Sequence, residues 1–133
     1  MAVINMLPHG GGGLDRYSVF DWITTRNARG NGTITSGSLT LSSNTAKVLY
    51  SMAETKFSDS SSSASANGTV ILQGSNDNSS WTNVDTMSWN TGTTATQKDG
   101  TVTGYKYYRF QLNVTSTSSD WAKISACGFI AYK

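Results

Sequence analysis

The sequence predicts an all-β sandwich, and three observations carry that prediction. Ser and Thr make up roughly 29% of the 133 residues, and with Gly and Asn roughly 46%, a composition that disfavours helix and favours strands and turns. Runs of strand length recur between clusters of Gly, Asn, Asp and Ser. Residues 105–114 alternate apolar and polar with a period of two, the spacing of a half-buried strand. Val, Ile, Leu and Phe together reach only roughly 18%, below the level of about 20% that accompanies disorder. The net charge, however, is only +2, and 4 Trp, 6 Tyr and 4 Phe are available to fill a lean core. The length fits one domain. A helical bundle, a coiled coil and a nucleotide-binding α/β domain are excluded.

Residues 1–13 stand apart. An apolar octapeptide, interrupted only by Asn5, runs into His9 and Gly10-Gly11-Gly12-Gly13, which reads as a flexible link because glycine has high chain entropy and nothing to pack. The expectation is a flexible N-terminal arm over 1–13, either a disordered start or an arm that docks on a partner or neighbouring subunit, and a sandwich over 14–133. Residues 17–25 read as a strand or a short helix. A turn cluster covers 27–32. Residues 33–35 and 38–42 read as strands joined by a Ser36-Gly37 turn, with Leu39 and Leu41 on one face. Residues 46–53 form another strand that places Val48, Tyr50 and Met52 together. Residues 58–67, nearly all small and polar, read as an exposed loop.

The run Val70-Ile71-Leu72 within 69–74 suits a strand covered on both faces. Residues 75–80 are a dense turn cluster, and 81–85 return as the partner strand. Residues 90–100 read as a polar loop. In 105–114, Tyr108, Phe110, Leu112 and Val114 point one way, and Tyr107, Arg109, Gln111 and Asn113 the other. Residues 122–132 close the chain with Ile124, Ala126, Gly128, Ile130 and Tyr132 on one face. Asn and Asp reverse a chain cheaply, and Trp81 then re-enters the sheet as structural cover. Arg109 reads as a structural hydrogen-bonder beside Tyr107.

The stretch Ile71-Leu72-Gln73-Gly74-Ser75-Asn76-Asp77-Asn78-Ser79-Ser80-Trp81-Thr82 resembles the signature hairpin of discoidin, or coagulation-factor type C, domains. Tyr107-Tyr108-Arg109-Phe110-Gln111-Leu112 resembles the family's Tyr-x-Arg strand, and Ile124-Ser125-Ala126-Cys127-Gly128-Phe129-Ile130 its last strand. Order and spacing agree over about two-thirds of the chain, residues 45–133. The resemblance implies a galactose-binding-like jelly-roll sandwich. The family's early Asp/Asn-rich calcium loop is not matched by residues 14–22, and its paired cysteines are absent, so neither its calcium site nor its ligand loops transfer. The family's ligands vary, so the fold does not fix one.

Composition also removes chemistries. One cysteine, Cys127, makes no internal disulfide or cysteine zinc cluster, and one histidine, His9, makes no multi-histidine site. Asp15 with Asp21, or Asp77 with Asp85, are weak candidates for a glycosidase pair, since Asp77 is explained by its turn. The four glycines precede no Gly-Lys-Ser/Thr, so they form no phosphate loop. Four Asn-x-Ser/Thr sequons, at Asn31, Asn67, Asn78 and Asn113, accord with the composition. Arg16, Arg26 and Arg29 make too small a footprint for nucleic acid. No apolar run approaches the roughly 18 residues of a membrane span, and residues 1–8 lack the pattern of a signal peptide. No enzyme activity, metal or cofactor is expected.

Exposed aromatic rings carry the binding expectation, because sugars stack on indoles while amides and hydroxyls bond the rest. Trp22, Trp89 and Trp121 are the candidates, against ordinary packing. The reading is a non-enzymatic binding or assembly module of a virus particle (a phage tail, fibre or head decoration) adhering to cell-surface glycan. Its expected partners are itself and other virion proteins, and its expected location is the virion or, alternatively, the extracellular space. A purely structural virion protein and a carbohydrate-binding module of a bacterial surface enzyme are the alternatives.

Overall fold

A computed structural model of the chain describes residues 18–28, 31–58, 66–89, 95–116 and 122–132. Every element in them is a strand: β1 (Ser18–Ala28), β2 (Gly32–Thr35), β3 (Leu39–Thr40), β4 (Val48–Ser58), β5 (Ala66–Ser75), β6 (Thr82–Trp89), β7 (Ala95–Val102), β8 (Tyr107–Ser116) and β9 (Ala122–Tyr132). They form two antiparallel sheets. One is ordered β1-β9-β4-β7; the other is ordered β2-β8-β5-β6, with β3 also on β8. Consecutive strands repeatedly cross between the sheets, which is the winding of a jelly roll. The predicted all-β jelly-roll sandwich is the observed fold.

The core lies where the two inner faces meet. Strand β8 contributes Tyr108, Phe110, Leu112 and Val114, as its alternation predicts; β4 contributes Val48, Tyr50 and Met52; β5 contributes Val70 and Leu72; β9 contributes Ala126 and Ile130. A large ring needs a small neighbour in so lean a core. Phe110 lies over Gly128, where an added Cβ would come within 2.7 Å of the ring. The Trp22 ring stacks parallel to Phe110, with centroids 6.0 Å apart.

One open expectation is decided and two are corrected. Residues 17–25 left strand and helix open; the chain from Ser18 is strand, held along its length by β9. The segment 90–100, read as a loop from its polarity, contains most of β7. An edge strand takes its order from the backbone ladder, here with β4, so its side chains need not be apolar. The Ser36-Gly37 turn does not fold β2 onto β3. Both strands run along β8 in the same direction with a one-residue shift, so the chain kinks and continues. Ser36 fills the kink, its N–H donating to the Phe110 carbonyl (2.9 Å) and its hydroxyl accepting from the Phe110 N–H (2.8 Å). The arm over 1–13 lies outside the described residues, as do most of the expected loop over 58–67 and Trp121.

Candidate interaction faces

The β5–β6 hairpin is built as its residues predict. Asp77 accepts hydrogen bonds from the Ser79 and Ser80 amides (2.8 and 2.7 Å) and the Ser75 hydroxyl (2.9 Å). The Ser80 and Ser79 amides hold its carboxyl down at about 2. Asn78 takes the left-handed φ of 58° that completes the reversal. Asn76 ties the hairpin to the β7–β8 connection, donating to the Gly104 carbonyl (3.1 Å) and accepting from the Lys106 amide (3.1 Å). Asp77 is thus accounted for by turn geometry.

Asp85 sits where the open sides of the sheets approach. Tyr50 on β4 reaches across Gly100 of β7, which has no Cβ to block it, and donates its hydroxyl to Asp85 of β6. Lys98 of β7 pairs with the other carboxylate oxygen and also donates to the Thr86 carbonyl (3.2 Å). This clasp joins one edge of the sandwich. Burial, then the bond to Asp85, pushes the Tyr50 hydroxyl up to about 12. Burial also acts to raise Asp85, but hydrogen bonds from Lys98 and Tyr50 outweigh it and hold the carboxyl below its ordinary value. Both ends of Asp85 are held, so it is not poised as a general acid.

The outer face of the β2-β8-β5-β6 sheet is a ladder of side-chain amides and hydroxyls. Thr33 donates to Asn113 (2.8 Å), Asn113 to Thr69 (3.1 Å) and to Gln111 (3.3 Å), and Gln111 to Thr35 (3.3 Å). Further along, Arg109 donates to Gln73 (2.8 Å), and Gln73 to Asn83 (2.9 Å). The Arg109 guanidinium lies 4.1 Å from the Trp81 ring centroid. Trp81 is therefore half-buried under a cation rather than set in the core, and Arg109 is the structural hydrogen-bonder expected of it. Polar groups on this face largely satisfy one another.

The outer face of the β1-β9-β4-β7 sheet is different. A groove of about 560 Å³ runs over β9, β4 and β7. Leu49, Ala53, Cys127 and Phe129 give it an apolar floor. Its polar rim pairs internally, Ser51 donating to Asp99 (2.5 Å) and Gln97 to the same carboxylate (3.1 Å). Those bonds, Ser51's first, hold the Asp99 carboxyl below its ordinary value. Ile23 of β1, directly paired with Cys127, is 60% exposed beside the groove.

The candidate tryptophans are not gathered into one site. Trp22 is half-buried and faces inward on Phe110. Trp89, at 3% exposure, belongs to the core, packed over Gly68 where a Cβ would come within 2.5 Å of its ring. Trp121 lies outside the described residues. The groove was missed although the sequence carries a signal for it. In β9 both alternating sets contain apolar residues, Ala126 and Ile130 on one side and Cys127, Phe129 and Ala131 on the other. Such runs mark a strand with both faces covered.

No protein-family model matches the sequence, and no curated protein is similar to it. Among solved structures, the chain is similar to the VP2 chain of an infectious bursal disease virus subviral particle, at TM-score 0.50 and 14% identity over 89% of this chain and 32% of that one. A chain of the Gx strain of the same virus gives TM-score 0.48 and 16% identity over the same shares of the two chains. A mitogen from Yersinia pseudotuberculosis gives TM-score 0.39 and 14% identity over 84% of each chain. The chain spans about a third of the length of the viral chains. The likeness to VP2 is one of fold: this is a β-sandwich of the kind that the viral chain also contains.

Proposed function

We propose that the chain is a non-enzymatic assembly module of a virus particle, and that the outer face of the β1-β9-β4-β7 sheet holds a neighbour there. One observation carries the reading: an open apolar groove with Ile23 beside it, on a protein whose opposite face is a mutually bonded polar ladder. Apolar surface of that kind, rimmed by polar groups, marks contact sites. The low charge and high hydroxyl content support a working place outside a cell, and the fold shared with a chain of a viral particle is compatible with it. A tail, a fibre or a head decoration are the positions in a particle that this reading covers. Quantitative mass spectrometry of particles purified from the source culture tests it. The chain at a fixed ratio to the main shell protein is the expected result; its absence from particles contradicts the proposal.

A second reading, adhesion to cell-surface glycan, is favoured by the amide and hydroxyl ladder beside Trp81 and Arg109 and by the resemblance to discoidin domains. Of the two candidate tryptophans among the described residues, Trp22 is half-buried against Phe110 and Trp89 lies in the core, so the ring beside this ladder is that of Trp81. Binding on a glycan array that falls with Gln111→Ala or Trp81→Ala is the expected result; an array without signal removes it.

A further inference from the structure

We propose that the neighbour on the groove is a second copy of this chain, packed outer face to outer face about a two-fold axis at Leu49, with Lys47 of each copy lying in the other's groove and reaching its Asp99. The proposal rests on the preceding reading that this face holds a neighbour. Asp99 at the rim is a half-used acceptor. Its Oδ1 takes the Ser51 hydroxyl (2.5 Å) and the Gln97 amide (3.1 Å), whereas its Oδ2 has a long contact from the same amide (3.4 Å). No cation among the described residues pairs with Asp99; the ion pair there joins Lys98 to Asp85. A carboxylate at the edge of an apolar groove fits an occupant that is apolar along its length and positive at its tip, which is the form of a lysine.

Lys47 offers that form on the same face. It is exposed and immediately precedes β4, whose Val48, Tyr50 and Met52 point into the core, so Lys47, Leu49 and Ser51 share the outer side. It lines a hollow of about 340 Å³ together with Thr101, and Thr101 also lines the groove, so the two hollows meet end to end. Within one copy the two charges stay apart. Asp99 pairs in register with Ser51, four residues along β4 from Lys47, which is about 13 Å at the usual strand rise. A second copy removes that separation. Leu49 stands midway, two residues from Lys47 and two from Ser51. An axis between the faces, perpendicular to the strands at Leu49, sets Leu49 over Leu49 and reverses the order along β4. Lys47 of each copy then comes over the partner's Ser51 and Asp99, and every contact is made twice, as a two-fold interface requires. Sheets packed face to face stand about 10 Å apart, a gap that a lysine and an aspartate bridge from opposite sides. The lysine stem covers the apolar floor beside Leu49 and Phe129.

Exchanging the charges tests the pairing. Sedimentation equilibrium compares the parent, Lys47→Asp, Asp99→Lys and an equimolar mixture of the two variants, with melting temperatures to check that each is folded. The parent should dimerise. Each variant alone sets like charges opposite each other and should dimerise at least about tenfold more weakly. The mixture should regain the parent's affinity, because opposite charges meet again at both contacts. Variants that dimerise like the parent, or a mixture no tighter than either variant alone, overturn the proposal. A parent that stays monomeric overturns it too, and leaves the assembly reading to the mass spectrometry of particles. Phe129→Asp separates the two readings. A dimer that resists Lys47→Asp but not Phe129→Asp overturns this pairing alone. A dimer that resists both puts the neighbour on another face and overturns the preceding reading as well.

Discussion

The two outer faces of this sandwich belong to one hydroxyl-rich chain and arrive at opposite surfaces. On the β2-β8-β5-β6 sheet, Thr33, Asn113, Thr69, Gln111 and Thr35 stand on neighbouring strands, and each hydroxyl or amide finds its partner across the ladder. On the β1-β9-β4-β7 sheet the positions facing out include Leu49, Ala53, Cys127 and Phe129, which give the groove an apolar floor. The first face is closed by its own hydrogen bonds. The second remains open to whatever can exclude water from it. Hydroxyl-rich composition alone does not make a surface inert; the register that pairs the polar groups does. Cross-strand pairs of this kind each contribute little, about 0.2–1 kcal/mol, but among the described residues this face exposes no large hydrophobic side chain.

The largest expected effect lies beneath both faces. Phe110→Ala removes a fully buried ring wedged between Trp22 and Gly128, and should cost about 3–5 kcal/mol by denaturant unfolding. Both faces should lose order together, because the same ring supports both sheets.

The clasp comes next. Tyr50→Phe leaves Asp85 with one partner fewer and should cost about 1.5–3 kcal/mol, as for a hydrogen bond to a charged group. Its pH behaviour has a defined sign. Tyr50 has a folded pKa raised to about 12, so its contribution is complete below about 10 and is lost as the pH rises toward 12. Asp85 has a depressed pKa, so its contribution is complete above about 4 and is lost as the pH falls through the folded value. Melting temperatures across pH should show both limbs in the parent. The alkaline limb should shrink in Tyr50→Phe, and the acid limb in Asp85→Asn.

Trp81→Ala should cost less than Phe110→Ala, about 1–2 kcal/mol, since the ring is half-buried and covered by one guanidinium. A double-mutant cycle with Arg109→Ala should return a coupling of about 0.5–1 kcal/mol. A cost as large as that of Phe110→Ala would mean that Trp81 belongs to the core and that the polar face is not a separate layer. The smallest effect is expected from Gln111→Ala, within about 0.5 kcal/mol by thermal unfolding, because its bonds are at most part-buried and shared among neighbours.

Much of this fold was legible from residues alone. The alternation of 105–114 and of 46–53 placed Tyr108, Phe110, Leu112, Val48, Tyr50 and Met52 inside, because a half-buried strand writes its orientation into a period of two. The Asn-Asp turn at 75–80 was legible because its chemistry is local. Strand β7 was not, since its order comes from hydrogen bonds to β4 that polar side chains neither require nor advertise. The continuation of β2 into β3 was hidden for a related reason: Ser36 and Gly37 serve a kink as readily as a reversal. The interaction faces were the least legible. Aromatic residues drew attention to Trp22 and Trp89, which the topology turns inward, whereas the groove depends on which side chains of three separate strands come into register.

Sedimentation velocity of the protein, alone and with one charge added on either face, tests the contrast between the faces most directly. The parent protein should self-associate as its concentration rises. Adding Phe129→Asp to the groove floor should return it to monomer, while adding Gln111→Asp to the polar ladder should leave association unchanged. Association that survives Phe129→Asp and is abolished by Gln111→Asp would contradict the account and move the contact face to the opposite sheet.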